Sequence, residues 1–336
     1  MGKYVIRRIL LGLIVLLGVV TITFIIARMI PSDPAAKWVG PRATPSQIEQ
    51  AKIELGLNDP IPVQFINYVT DLTQGDLGRS LRTRQPVVDD LKAYIPPTLE
   101  LVVLAFLIAI IIGIPLGIYS AKMKDRLLDH VSRLFSIGAV SLPTFWVALF
   151  FQLIFYKLLG LFPLGGRIST ETTILYDIPR ITGMLIFDSF VTGNWVIFKD
   201  ALWHIILPCV TIALYPIGLV ARMTRSALLE ILNEDYITAA RSYGLKESLV
   251  LWRYALKNTL GSTAIVLTLS LGYTLVNTFL VETIFSWPGL GNYVATSVVT
   301  LDYPSIMGVT IFSATTYILL NLIADIIIAM DPRIRL

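Results

Sequence analysis

The chain has 336 residues, of which 55% are hydrophobic and only 15% charged, with a formal net charge of +4. Soluble domains carry about a quarter of their residues as charges, so this composition is that of an integral membrane protein, and no stretch of globular composition is long enough to hold an appended soluble enzyme. The single cysteine, Cys209, excludes a disulfide framework within the chain and a multi-cysteine metal site, and His130 and His204 lack the H-E-x-x-H spacing of a zinc hydrolase.

Uncharged apolar runs of roughly the 20 residues that cross a bilayer lie at 9–27, 101–121, 134–156, 201–221, 258–281 and 303–324. Lipid offers the backbone no hydrogen-bonding partner, so each run is predicted to be a helix, giving an all-α integral membrane protein with six transmembrane helices. Lys3, Arg7 and Arg8 ahead of the first run imitate a secretory signal. That run is too long for such a segment and ends at "ARMIPSDP" without a small-residue cleavage site, so it is read as a span.

Residues 31–97 carry helix signals of their own. In "TPSQIEQAKIELGL", Thr44 is an N-cap, Pro45 takes the first helical position, Gln47 completes a capping box and Gly56 marks the stop. "NDPIPVQFINYVTDL" repeats the logic with Asp59 as cap and Pro60 next, and Phe65, Ile66, Val69 and Leu72 then fall on one face. A compact cap packed on the spans is expected. The later polar segment, 161–199, is richer in Gly, Thr and Asp and reads either as a partner-facing loop or as a plain connection.

Basic residues choose the orientation. Lys3, Arg7 and Arg8, then Lys122, Lys124, Arg126 and Arg133, then Arg222, Arg225, Arg241, Lys246, Arg253 and Lys257, and finally Arg333 and Arg335 fall on one side. They outnumber Asp125, Asp129, Glu230, Glu234, Asp235, Glu247 and Asp331 there, so both termini are expected in the cytoplasm.

Residues 233–246 are charged and helical in pattern, yet they lie between two spans. Tyr236, Ala239, Ala240 and Tyr243 follow i, i+3, i+4, i+7 and share a face that is small in its middle and aromatic at its ends. Such a face suits entry into a groove of another protein; an amphipathic helix lying on the membrane surface has the same composition.

The order of residues carries a resemblance. "EDYITAARSYGL" is similar to the cytoplasmic loop of ABC importer permeases, with the general pattern E-A-A, three residues, G, and later I-x-L-P. Thr238, Ala239 and Ala240 stand at E-A-A, Gly244 holds the glycine position, and Tyr254, Leu256 and Lys257 stand where I, L and P would be. These departures are those of the dipeptide/oligopeptide permeases, whose loop reads close to E-D-Y-x-x-T-A-R-x-K-G-L after R-x-x-R-S; here it is "RMTRSALLEILNEDYITAARSYGL". "ITFIIARMIPSDP", "LGLNDPIPVQFINYV", "GDLGRSLRTRQPV", "PPTLEL", "ETIFSWPGLG" and "DPRIRL" extend the likeness along almost the whole chain, which resembles the first of the two permease subunits.

The resemblance implies a type I ABC importer permease (MetI-like) fold divided into an N-terminal helix (1–30), an extracytoplasmic helical segment (31–97), a permease core (98–330) and a cytoplasmic tail (331–336). It implies an inner-membrane location and a second homologous permease as partner. Two ATPase subunits that bind ATP and magnesium, an extracytoplasmic substrate-binding protein, a peptide substrate and membrane lipid complete the set, with no nucleic acid. No G-x-x-x-x-G-K-[ST] occurs in the chain, so no cofactor is expected in it, it is not itself an enzyme, and energy must come from separate ATPases. The ATPase contact, or coupling helix, would use Glu234, Asp235, Tyr236, Ala239, Ala240, Arg241, Tyr243 and Gly244.

The same subgroup includes permeases for nickel complexes, glutathione and oligosaccharides, which remain alternatives to peptides. An ion-coupled secondary transporter would want several buried acids or histidines, and only Glu282 and Asp325 lie near the membrane interior. Glu282 is expected close to the outer surface, either facing the substrate entrance or binding backbone amides of the 288–291 turn. Asp325, one helical turn after Asn321, is expected either to touch substrate or to join two helices by a hydrogen bond. In "SWPGLG", Trp287, Pro288, Gly289 and Gly291 form either a plain turn or a loop re-entering the outer mouth.

Overall fold

The computed structural model describes residues 2–29, 33–40 and 42–330. The first apolar run becomes helix α1 (Gly2–Met29), and the polar segment after it folds into α2 (Pro34–Val39), α3 (Pro45–Glu54) and α4 (Ile61–Thr73). Thr44 caps α3 as expected: its hydroxyl accepts from the Gln47 amide while the Gln47 side chain accepts from the Thr44 amide. The cap expected for α4 is displaced. Pro60, extended at ψ 141°, takes the N-cap position itself, so Asp59 stands one residue too far out to reach the first-turn amides. The packed face of α4 is also rotated: Phe65 and Tyr68 join Phe24, Tyr303 and Met307, while Ile66 stays exposed.

Helix α5 (Val87–Lys122) contains the second predicted span. The third is not one straight span: α6 (Leu127–Ser141) and α7 (Thr144–Phe151), which widens into a π-turn over Gln152–Leu158, meet at 105°. Pro143 has no amide to donate and holds Leu142 extended at φ −77°, ψ 132°, which breaks the helix. The second polar segment contributes α8 (Thr170–Leu175) and α9 (Leu185–Val191), and α10 (Trp195–Ile231) returns through the membrane. Next come α11 (Asp235–Ser242), the short α12 (Glu247–Leu249) with a π-turn over Val250–Ala255, α13 (Leu256–Ile284), α14 (Leu290–Thr300) and α15 (Tyr303–Met330). Among the described residues, five helices are long and apolar enough to cross a membrane, and the bent α6–α7 pair, counted as one crossing, is a sixth.

α5 and α10 form the centre. With 36 and 37 residues they run about 55 Å, well beyond the ~30 Å hydrocarbon thickness, so both project from it. α5 turns a small residue toward its neighbour every four positions, Ala105, Ala109, Gly113, Gly117 and Ala121, all buried. Lipid supplies no hydrophobic drive between helices, so close backbone packing holds them: a Cβ at position 117 would sit 2.7 Å from the Ala221 carbonyl of α10. At the periphery, Arg8 Nη2 lies 3.0 Å from Asp325 Oδ1 and ties the start of α1 to the end of α15. Asp325 therefore does join two helices, but through an ion pair with Arg8; Asn321 donates instead to the Tyr317 carbonyl of its own helix. The 331–336 tail lies outside the described residues.

Candidate functional site

The α11 segment is a short arm with two faces. Glu234 sits at its N-cap, and Gly244, at φ +74°, turns the chain away after Tyr243. Ile237 and Ala240 are buried against Ile118, Ala121, Leu228, Val250 and Leu251, seating the arm on α5, α10 and the 250–255 turn. Ala240 is thus a seat inside this chain and not part of the free face, because its neighbours on α5 and the 250–255 turn already cover it. The free face is Tyr236, Ala239 and Tyr243, with Tyr243 87% exposed. Asn258 donates to the Tyr236 hydroxyl at 2.7 Å, and Arg241 donates to Glu247 at 2.8 and 3.3 Å. That Arg241 bond holds the Glu247 carboxyl below the usual carboxylate range.

At the opposite end, α13 runs through Glu282 to Ile284, and the 286–291 turn folds back over it. Glu282 is fully buried, deeper than expected from its place at the end of the apolar run. Its carboxylate accepts from the Thr98 hydroxyl at 2.6 Å, the Gly291 amide at 2.6 Å and the Asn292 amide at 3.3 Å. Thr98 in turn accepts from the Leu290 amide at 2.8 Å, and the Trp287 indole donates to the Pro97 carbonyl at 3.0 Å. The turn is latched onto the first third of α5 through Pro97 and Thr98, and onto α13 through Glu282. It separates two cavities. One, about 480 Å³, has Tyr94, Arg167, Arg180 and Pro288 in its wall; the other, about 330 Å³, is bounded by Thr98, Phe279, Glu282 and Thr316. Gly289 faces the Glu282 carboxylate so closely that a Cβ there would lie 2.3 Å from Oε1.

The second polar segment is held by one acid of α5, Glu100, and one of its own, Asp188. Arg167 donates to Glu100 and, at 3.1 Å, to the Gly183 carbonyl, and its guanidinium lies 5.6 Å from the centre of the Trp287 ring. Asp188 accepts from the amides of Ile181, Thr182 and Gly183 and from the Thr182 hydroxyl. Burial pushes that carboxyl upward, but the Thr182 hydroxyl and the three amides outweigh it, so it ionises below the usual range. A carboxyl with a depressed folded pKa contributes stability that is full above its unfolded pKa and is lost as pH falls through the folded value. Proteolysis and amide exchange within 178–194 are therefore expected to rise as pH drops below the ordinary carboxylate range, and Asp188→Asn should show the faster exchange at neutral pH and little further change on acidification. An identical acid response in wild type and variant would exclude this role.

Residues 113–336 match the family described as the inner membrane component of binding-protein-dependent transport systems, and residues 1–102 match the N-terminal part of the membrane component of such systems. The chain belongs to this family. It is 44% identical over 323 residues to the probable D,D-dipeptide transport system permease of Escherichia coli, covering 96% of this chain and 94% of that one. Identity is 38% to a dipeptide transport system permease of Alkalihalophilus pseudofirmus and 34% to an oligopeptide transport system permease of Bacillus subtilis, with the full length of both chains covered in each case. This transport-system subunit is a multi-pass inner-membrane protein whose fold is the all-helical one expected.

Of the residues singled out in its sequence, the structure gathers Glu282, Trp287, Gly289 and Gly291 in one buried latch, leaves Pro288 exposed in the wall beside it, and sets Asp325 apart in the Arg8 pair. Besides Glu282, the described residues bury Asp90, Glu100, Asp129, Asp188 and Asp302, none of them singled out in the sequence as a site. Asp302 accepts from Ser80, from the Leu81 and Arg82 amides and from Ser305, strapping the 80–82 stretch to the start of α15. Its signal was an acid directly before a Tyr-Pro helix start. Asp129 takes two bonds from Arg225, one from Ser120 and one from the Asp125 amide, and nothing local in the sequence announces it.

Proposed function

We propose that the chain is a permease subunit of an ATP-driven importer for dipeptides or oligopeptides, paired with a second homologous permease. Two ATPase subunits binding magnesium-ATP would dock on its α11 side, and an extracytoplasmic binding protein would deliver peptide to the opposite face. Its termini would be cytoplasmic, with 1–30 as the first helix, 31–97 as the extracytoplasmic segment, 98–330 as the core and 331–336 as the tail. The observation that carries this reading is α11: a protruding arm rooted in the core by Ile237 and Ala240, yet presenting an uncovered Tyr236–Ala239–Tyr243 face. The names of the relatives support the peptide substrate. Closure of the ATPases would move the arms together and, through α10 and α13, switch the bundle between two packings. On the other side, the 286–291 turn between two cavities is suited to be the outer gate, with Glu282, Trp287, Pro288, Gly289 and Gly291 as its parts.

The complex of this chain with its second permease and ATPases, reconstituted in proteoliposomes, should hydrolyse ATP faster when the binding protein loaded with a dipeptide is present. Stimulation by no peptide-loaded binding protein, but by one carrying a sugar or a metal complex, would replace the substrate. In the same assay, Ala239→Arg is expected to lower uptake roughly tenfold, the effect of about 1.4 kcal/mol lost at a contact, without changing the amount of protein in the membrane. Ala240→Trp should instead reduce the folded amount, because its space is filled by this chain's own core. Normal uptake by Ala239→Arg would sink the placement of the ATPase contact.

A further inference from the structure

We propose that α9 and the first turns of α10 are seated in the headgroup zone of the adjoining leaflet, with lipid covering their shared aromatic face. The pattern of α9 is inside out. Leu185, Asp188 and Ser189 fall at i, i+3, i+4 and are buried, the acid among them, whereas Phe187, Phe190 and Val191 lie on the other side and are 51–55% exposed. A helix on a water-facing surface carries the reverse arrangement, with its charges outward and its apolar residues against the core.

Local chemistry makes one body of the two helices. Gly193, at φ +71°, turns the chain, and the Asn194 side chain caps α10 by accepting from the Ile197 amide. Leu185, Ile197 and Ala201 pack together on the inner side. On the outer side the rings close on one another: Phe190 lies 5.8 Å from both Trp195 and Phe198, and those two lie 5.7 Å apart. Trp195 and Val196 are exposed beside them, so the apolar face of α9 continues onto α10.

Level and continuity choose lipid over a protein partner. The Ile186 amide donates to Glu100 at 2.6 Å, and Glu100 stands immediately before the apolar run 101–121 of α5. On α10, Lys199 and Asp200 stand immediately before the run 201–221. The base of the hairpin is therefore level with the edge of the hydrocarbon, and Trp195 lies about 9 Å beyond it, against a headgroup zone of about 5–8 Å per leaflet, so only the tip of the turn clears that zone. Trp195, Lys199 and Trp203 recur every four residues and all are exposed, so the patch runs without a break into the flank of the span. A lysine between two tryptophans, apolar in its stem and charged at its tip, suits the level at which acyl chains meet phosphates.

The test places a bimane label on Phe187→Cys and on Val191→Cys, each in the full-length chain in nanodiscs. Gln50→Cys, exposed on the polar helix α3, serves as the aqueous reference, and the buried Cys209 stays unlabelled. Aqueous iodide should quench the label at Gln50→Cys and lose most of its effect at the other two positions. Lipids carrying a nitroxide near the headgroup end of the acyl chain should quench those two and spare the reference. Both α9 positions are exposed, so neither label disturbs the core. Iodide quenching at Phe187→Cys and Val191→Cys as strong as at Gln50→Cys overturns the seat. So does protection that arises only when a partner permease or a binding protein is added, which would make the face a protein-docking one.

Discussion

Gly291→Ala is expected to open the latched turn and to be among the most destabilising single-methyl additions on the α14 side of the protein. A Cβ at this position would lie 2.4 Å from Phe279 Cα, 3.0 Å from the Phe279 carbonyl and 2.9 Å from Glu282 Oε2. The first two are backbone atoms of α13, so no side-chain rotation relieves the overlap and α14 must move away. That movement stretches the 2.6 Å bond from the Gly291 amide to Glu282, and with it the bond from Thr98. Overpacking costs about 1–3 kcal/mol, and loosening a buried hydrogen bond adds about 1–3 more, so a total of roughly 3 kcal/mol or above is expected. Glu282→Ala creates no overlap but leaves the buried Gly291 amide without its acceptor, for about 1–3 kcal/mol. Glu282→Gln keeps the shape and one acceptor oxygen and should cost least. Thermal unfolding of the purified variants should follow that order, and labelling of a cysteine placed at exposed Ser286 should quicken in the same order. Wild-type stability of Gly291→Ala would mean that the close approach of α13 and α14 does not exist in the membrane.

How much of this was legible in the sequence depended on the distance between the interacting residues. The Thr44–Gln47 box and the Gly244 turn are local, and their residue types dictate them. The break in the third span is not legible because hydropathy averages over a window, whereas the break at Pro143 rests on one missing amide. On α11, positions 236, 239, 240 and 243 fall within about 100° of arc, and position 240 borders the arc that contains Ile237. The pattern therefore could not say on which side of the boundary Ala240 falls; α5 and the 250–255 turn decide it. Glu282 was placed too shallow because the apolar run ends at Val281, while α13 continues to Ile284 and the 286–291 turn folds over it. The latch, the Asp302 strap and the Asp129–Arg225 pair join residues 184, 222 and 96 positions apart, beyond any spacing rule.

Breaking the Asp129–Arg225 pair is expected to be the costliest change on the α11 side. The Asp129 side chain is fully enclosed and Arg225 is 17% exposed, so removing either partner leaves the other charge poorly solvated, at about 3–5 kcal/mol. Asp129 holds more than its partner: through Ser120 it reaches the end of α5, and through the Asp125 amide it fixes the turn whose Asp125 stands at φ +62°. Arg225 lies two turns before the end of α10, which leads directly into α11, so the pair sets where the arm is carried. Two properties can thus be separated. Asp129→Leu with Arg225→Met removes both charges and should recover most of the stability lost in either single variant, since burying two charges is itself costly. If the pair also positions the arm, the double variant should unfold near the wild-type temperature yet import several-fold more slowly in the reconstituted complex. A double variant no more stable than the singles would show that the Ser120 and Asp125 contacts, and not the buried charge, govern this corner. Full stability with full transport would show that α10 carries the arm without help from the ion pair.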